Sequence, residues 1–264
     1  MNTKIIFFDI DGTIYKYNEG MPNDTLESII KLKQKGHIPV LCTGRTKVMI
    51  YDEFLKPGFE YIIAGSGTYI QSKDNVDFFY KLDNDEVEHV ADAFKRYGFS
   101  PVIEGRDNLF VEFENESRTP RGNKIIANYR KNIGDKCIDI GSNPFENVSK
   151  ASGVFMPGCD MNGMIKEFSD DYSIINHNND LLELVPKPYN KAKAIEKLIA
   201  NLGISHENTY AFGDSFNDLE MLTYVKYGIC MGNSDEELFQ YTQYRTEDYN
   251  KFGITNALKR FNLI

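Results

Sequence analysis

The sequence predicts an α/β protein in which a parallel-sheet core is interrupted by an inserted α+β segment. Three observations carry that expectation. Short apolar runs alternate with helix-length amphipathic stretches at both ends of the chain. Between them the rhythm breaks into short, irregularly spaced strand-like runs. Three polar motifs each stand directly after an apolar run, at the strand ends where open parallel sheets bind ligands.

Residues 5–8, all Ile or Phe, read as a strand buried on both faces. Asp24-Thr25-Leu26-Glu27 has the form of a capping box, followed by Leu26, Ile29, Ile30 and Lys33 at helical spacing and by Gly36 as the stop. Residues 38–42 read as a second strand, 46–55 as a helix and 61–64 as a third strand. This βαβαβ order implies a parallel sheet.

The pattern changes near Phe79. Residues 84–97 form an amphipathic helix with Val87, Val90, Ala91 and Phe94 on one face and Gly98 beyond its end. Strand-like runs follow at 101–104, 109–113, 137–140, 153–156, 172–176 and 181–185, with helices expected at 124–130 and 161–168. Pro186-Lys187-Pro188 marks the return to the first domain. Helix, strand, helix and strand are then expected at 191–202, 209–212, 218–222 and 227–231, with helices at 234–240 and 254–261. The expected domains are a discontinuous core of residues 1–80 and 187–264 and an inserted α+β domain of residues 81–186.

A length of 264 residues suits two domains, and 41% hydrophobic residues suffice for ordinary cores. A net charge of −9 argues against nucleic acid as a partner, yet a metal and a few basic groups can reverse the field locally for a phosphorylated small molecule. Cys42, Cys137, Cys159 and Cys230 form no CxxC pair and read as small apolar residues in a reducing compartment. No stretch has the apolar length of a membrane span, and Asp9 and Asp11 interrupt the only apolar run near the N-terminus, so no signal peptide is expected. The expected location is the cytoplasm, as a monomer or homodimer.

The polar motifs are Asp9-Ile10-Asp11-Gly12-Thr13, Thr43-Gly44-Arg45 and Gly213-Asp214-Ser215-Phe216-Asn217-Asp218. Asp9, Asp11, Asp214 and Asp218 offer the oxygen ligands that a hard cation such as Mg²⁺ takes. One carboxylate can attack phosphorus, and a second can protonate the leaving oxygen and later activate water. Thr43 offers a hydroxyl and, with Gly44, backbone N–H groups at an expected helix N-terminus. Lys191 can balance transition-state charge.

DIDGT at 9–13, TGR at 43–45, Lys191 and GDSFND at 213–218, in this order, resemble the four motifs of the haloacid dehalogenase superfamily of phosphatases. The long insert resembles a C2-type cap, and Met231-Gly232-Asn233-Ser234 resembles the tail of the Cof-type branch. The resemblance implies a Rossmann-like core. It implies Asp9 as nucleophile and metal ligand, and Asp11 as general acid/base with its backbone carbonyl on the metal. It implies Thr43 and Lys191 on the phosphoryl group and Asp214 on Mg²⁺. Asp218 would complete or orient the metal shell, and Asn217 would hydrogen-bond near the phosphate. Arg45 either reaches the substrate or lies on the surface.

Three departures accompany the resemblance. Ser66-Gly67-Thr68 stands where Cof-type chains usually have Asn-Gly-Ala, Ala192 where a glycine often follows the lysine, and Phe252-Gly253-Ile254 in place of Asp-Gly-Val. Arg118, Arg121 and Lys124 read as a basic cluster in a loop, either solvated or touching an anionic substrate. His37, His89, His177 and His206 form no ligand pattern. The expected protein is a Mg²⁺-dependent phosphatase of small metabolites such as sugar phosphates. A phosphotransferase or mutase on the same site, and a non-catalytic phosphometabolite sensor, are the alternatives.

Overall fold

The computed structural model describes residues 3–142, 144–177 and 179–264. They form two compact units. The first holds the described residues up to Gly44, Asp52–Phe78 and Asn190–Ile264; the second holds Arg45–Tyr51 and Phe79–Tyr189.

In chain order the first elements are β1 (Ile5–Phe8), α1 (Asn23–Gln34), β2 (Ile38–Cys42), α2 (Asp52–Leu55), β3 (Tyr61–Ala64), β4 (Tyr69–Ser72) and β5 (Asn75–Phe79). The middle segment contains α3 (Asn84–Arg96), β6 (Phe99–Gly105), β7 (Leu109–Val111), α4 (Pro120–Ile133), β8 (Cys137–Asp139), β9 (Val148–Phe155), α5 (Met161–Phe168), β10 (Tyr172–His177) and β11 (Leu181–Pro186). The last elements are α6 (Lys191–Leu202), β12 (Thr209–Gly213), α7 (Leu219–Tyr224), β13 (Tyr227–Cys230), β14 (Tyr244–Arg245) and α8 (Gly253–Arg260).

The first unit is built on a sheet ordered β14-β13-β12-β1-β2-β3-β4-β5. Pairing is parallel from β14 through β3 and antiparallel between β3 and β4. β1 is apolar at every position because both of its faces are covered. Ile5 and Phe7 join Ile195, Leu198 and Met221 in one core cluster, while Phe8 stacks on Phe212 with ring centroids 5.2 Å apart. The strand therefore has no solvent face on which a polar residue would gain anything.

Three local expectations give way to tertiary contacts. Helix α1 starts at Asn23 behind Pro22 without a side-chain cap, so the capping box at Asp24 does not form. The Asp24 carboxylate instead accepts a hydrogen bond from Thr255 Oγ1 at 2.6 Å, in α8. The expected helix at 46–55 is two short pieces, a 3₁₀ turn at Lys47–Met49 and α2, separated by Ile50 in an extended conformation. Val48 and Met49 are buried with Ile126 and Val154, and that burial outweighs the continuity of a ten-residue helix of modest propensity. Residues 234–240 likewise form only a 3₁₀ turn, Glu236–Gln240. The β4–β5 pair went unanticipated because β5 is short and its first three residues are exposed. The stops at Gly36, Gly98 and Gly203 stand as expected, all with positive φ.

The second unit contains a sheet ordered β10-β11-β9-β6-β7-β8. Neighbouring positions on β6 face opposite ways: Ile103 packs with Phe94 of α3 and Met164 of α5, and Val102 packs with Ile126 of α4. The basic cluster is not a loop. Arg121 and Lys124 lie in α4, which Thr119 caps by accepting from Gly122 N, and Arg118 is buried, donating to Ser100 Oγ and the Glu112 carbonyl. Lys150, 3% exposed, is clasped between Glu183 at 2.7 Å and Glu104 at 3.3 Å, and His177 approaches Glu183 at 2.7 Å. Nothing in the residue spacing announced that network, because its members come from four strands.

The four cysteines are free, with Cys42, Cys137 and Cys230 buried. Among the described residues no helix is long and apolar enough to cross a membrane.

Candidate active site

Parallel pairing of β1 with β2 and β12 brings the residues after all three strands to one end of the sheet. Asp9 follows β1, Thr43 follows β2 and Asp214 follows β12. Ligand atoms of Asp9, Asp214 and Asp218 lie within 4.8 Å of one another. Asp11 is exposed, and its carboxylate is not one of that trio.

Gly12 and Thr13 shape the cluster. Gly12 has φ +85°, and a Cβ there would lie 2.1 Å from Asp214 Oδ2, so a side chain is excluded twice over. Thr13, fully buried, donates its hydroxyl to Asp214 Oδ1 at 2.9 Å. The turn between them is closed by Thr13 N, Ile14 N and Tyr15 N, all donating to the Ile10 carbonyl. A sequence reading could have assigned Thr13 this work, since it ends the motif whose aspartates it serves.

Lys191 is the first residue of α6 and is 1% exposed. Its ammonium donates to Asp9 Oδ1 at 2.6 Å and to Asp218 Oδ1 at 2.5 Å, leaving one of three N–H groups for a further acceptor. Asn190 caps the helix by accepting from Lys193 N. Burial by itself would push the Lys191 ammonium down, but the carboxylates of Asp218 and Asp9 hold it well above its usual value.

Asp218 is fully buried, and both of its oxygens are engaged. Oδ1 takes Lys191, and Oδ2 accepts from Asp214 N at 3.0 Å and Ser215 N at 3.2 Å, within a capping box with Ser215. It therefore holds the loop that carries Asp214. Asn217 Oδ1 accepts from Ser215 Oγ at 2.7 Å, which leaves the amide NH₂ as its donor end.

Thr43 is 1% exposed, and its N–H donates to the Ile63 carbonyl at 2.9 Å. No helix begins at Thr43 and Gly44, and of the two backbone N–H groups expected to meet an anion the Thr43 amide serves the sheet. The hydroxyl is the group Thr43 can offer. Ser66, at φ +53° in the left-handed region, donates its N–H to the Thr43 carbonyl at 3.1 Å, tying the loop after β3 to the loop after β2. Arg45 belongs to the second unit; its guanidinium donates to the Met49 carbonyl at 3.3 Å and lies 5.3 Å from the Tyr51 ring centroid.

The electrostatics of the cluster favour a positive charge beside it. Burial and the neighbouring Asp218 push the Asp9 carboxyl up to about 7, and burial with Asp218 and Asp9 pushes Asp214 up to about 8. Three carboxylates against one ammonium leave two negative charges uncompensated, which one divalent cation would neutralise. The all-oxygen donor set fits a hard cation. Asp9, Asp214 and Asp218 each have a carboxylate oxygen within this group, and Asp218 also accepts three hydrogen bonds.

The chain matches the family model for haloacid dehalogenase-like hydrolases over residues 6–258. The candidate phosphatase YkrA of Bacillus subtilis (strain 168) is 24% identical over 272 residues, covering 100% of both chains. The 5-amino-6-(5-phospho-D-ribitylamino)uracil phosphatase YitU of the same organism is 25% identical over 279 residues, covering 99% of each. The solved structure of the HAD subclass IIB sugar phosphatase BT4131 shares the fold, with a TM-score of 0.81 at 23% identity, over 99% of this chain and 100% of that one.

Proposed function

The chain belongs to the haloacid dehalogenase-like hydrolases, and from that premise we propose that it is a Mg²⁺-dependent phosphatase of small phosphorylated metabolites, sugar phosphates foremost, working through an aspartyl-phosphate on Asp9. The observation that carries the reading is the convergence of Asp9, Asp214 and Asp218 within 4.8 Å around the Lys191 ammonium. Two of these acids lie more than 200 positions from the first, and a buried acid cluster of that kind is costly unless a charged ligand uses it.

Asp9, Asp214 and the Asp11 backbone carbonyl would hold Mg²⁺, with Asp218 completing or orienting the shell, and the bound cation would supply neutralisation of phosphate charge. Lys191 grips one oxygen of Asp9 and so fixes the rotation of the nucleophile. The Asp9 carboxylate attacks phosphorus, the ester P–O bond breaks, and Asp11 delivers its proton to the departing oxygen. Asp11, now ionised, takes a proton from water, which attacks the aspartyl-phosphate. Inorganic phosphate leaves, and Asp9 returns as a carboxylate. The Thr43 hydroxyl, the remaining Lys191 N–H and the Asn217 amide are the donors for phosphoryl oxygens.

The reading is tested by phosphate release from p-nitrophenyl phosphate and a panel of sugar phosphates with Mg²⁺. Asp9→Asn should cost roughly a thousandfold or more in kcat while the protein stays folded. Retained turnover in Asp9→Asn, or in chelator, would sink the mechanism. Transfer to a sugar acceptor in place of phosphate release would identify a phosphotransferase.

A further inference from the structure

Residues 11–15 form a tight turn that carries the proposed acid/base, and residues 16–20 follow as a minimal hairpin. Gly12 N donates to the Tyr15 carbonyl at 2.8 Å, and Lys16 and Gly20 exchange backbone hydrogen bonds at 2.9 and 3.3 Å. The turn and the hairpin are each tied to a segment more than 200 residues away. Asn233 Nδ2 donates to the Gly12 carbonyl at 2.9 Å, and Asn233 Oδ1 accepts from Tyr249 N at 2.8 Å. The Tyr249 hydroxyl bonds the Glu19 carboxylate near the hairpin tip. Lys16 pairs with Glu19 at 3.0 Å, and its ammonium lies 5.7 Å from the Tyr249 ring centroid.

Asn233 is an exposed residue, so no burial cost compels it to use both ends of its amide. Both ends nonetheless hold backbone atoms. The Gly12 carbonyl belongs to the Gly12–Thr13 peptide, one residue beyond Asp11, so holding it limits how the turn can aim the Asp11 side chain and seats the Thr13 hydroxyl that holds Asp214. We propose that Asn233, braced by Tyr249, is a positioning residue for Asp11, fixing the Gly12 peptide so that the Asp11 carboxyl meets the leaving oxygen. The inference rests on the reading of Asp11 as the general acid/base.

Asn233→Asp keeps the acceptor for Tyr249 N and sets an oxygen against the Gly12 carbonyl. The measurement is kcat/KM, with Mg²⁺ present, for p-nitrophenyl phosphate and for an alkyl phosphate such as glycerol phosphate. An alkoxide needs the proton of Asp11 to depart, and p-nitrophenolate does not. The alkyl ester should therefore lose roughly tenfold more than the aryl ester. Amide hydrogen exchange across residues 11–20 should quicken in the same variant. Tyr249→Phe, which releases Glu19 alone, should shift the ratio in the same direction by less, and it decides the matter if Asn233→Asp does not fold. Equal losses on the two esters, or none, overturn the inference while leaving the phosphatase reading intact. A wild-type protein that hydrolyses neither ester overturns that reading, and the inference with it.

Discussion

Thr13 Oγ1 donates to Asp214 Oδ1 at 2.9 Å, joining the first motif of the chain to the last across 201 positions. The hydroxyl is fully buried and orients a carboxylate of the proposed cation site. Thr13→Val keeps the volume and removes the donor. Mg²⁺ affinity should fall by roughly 10- to 100-fold, as it does when a partner that orients a metal ligand is lost. Calorimetric titration of the variant checks this, and an unchanged affinity would show that Asp214 needs no such support.

Stability in the absence of a cation should fall as pH rises. Asp9 and Asp214 have folded-state values of about 7 and about 8, above the unfolded value of 3.8, so the folded state binds the extra protons. Stability associated with these two groups is therefore fully present below the unfolded value and is lost as pH climbs through 7 and 8. Mg²⁺ competes with those protons and should raise the unfolding midpoint more at about pH 8.5 than at about pH 5. Thermal melts with chelator and with Mg²⁺ at both pH values read the difference; a Mg²⁺ effect that is larger in acid would contradict it.

Lys150 shares one ammonium between two buried glutamates, Glu104 and Glu183. Lys150→Met leaves both without their ammonium and should destabilise the second unit by about 3–5 kcal/mol. Denaturant unfolding of the variant measures this. Adding Glu104→Gln should recover part of the loss, because one fewer charge is stranded. A midpoint equal to that of the wild type would show that the two buried glutamates do not depend on Lys150.

Much of the fold was legible in the residues themselves. The all-apolar run of β1, the amphipathic face of α3 and the glycines closing α1, α3 and α6 all express local chemistry: burial on both faces, burial on one, and a backbone that must turn left-handed. The motifs were legible for a related reason. Acids placed straight after buried strands have one sheet end to occupy, so Asp9 and Asp214 had to converge. The failures have a common cause too. The capping box at Asp24 lost to a hydroxyl in α8, and the helix at 46–55 lost to burial of Val48 and Met49.

Sequence alone determined which candidate groups stand after a strand or at a helix start: the first acidic motif, the lysine and the second acidic loop. Tertiary structure decided how those groups are shared. It committed both oxygens of Asp218 to Lys191 and the Asp214 loop, gave the Thr43 amide to the sheet, turned Arg45 toward Met49 and Tyr51, and enlisted Thr13 and Asn233. The reason is physical. A residue's type sets what it can donate or accept, but a buried group takes its partner from whichever segment the packing brings within about 3 Å, and that segment is often hundreds of positions away.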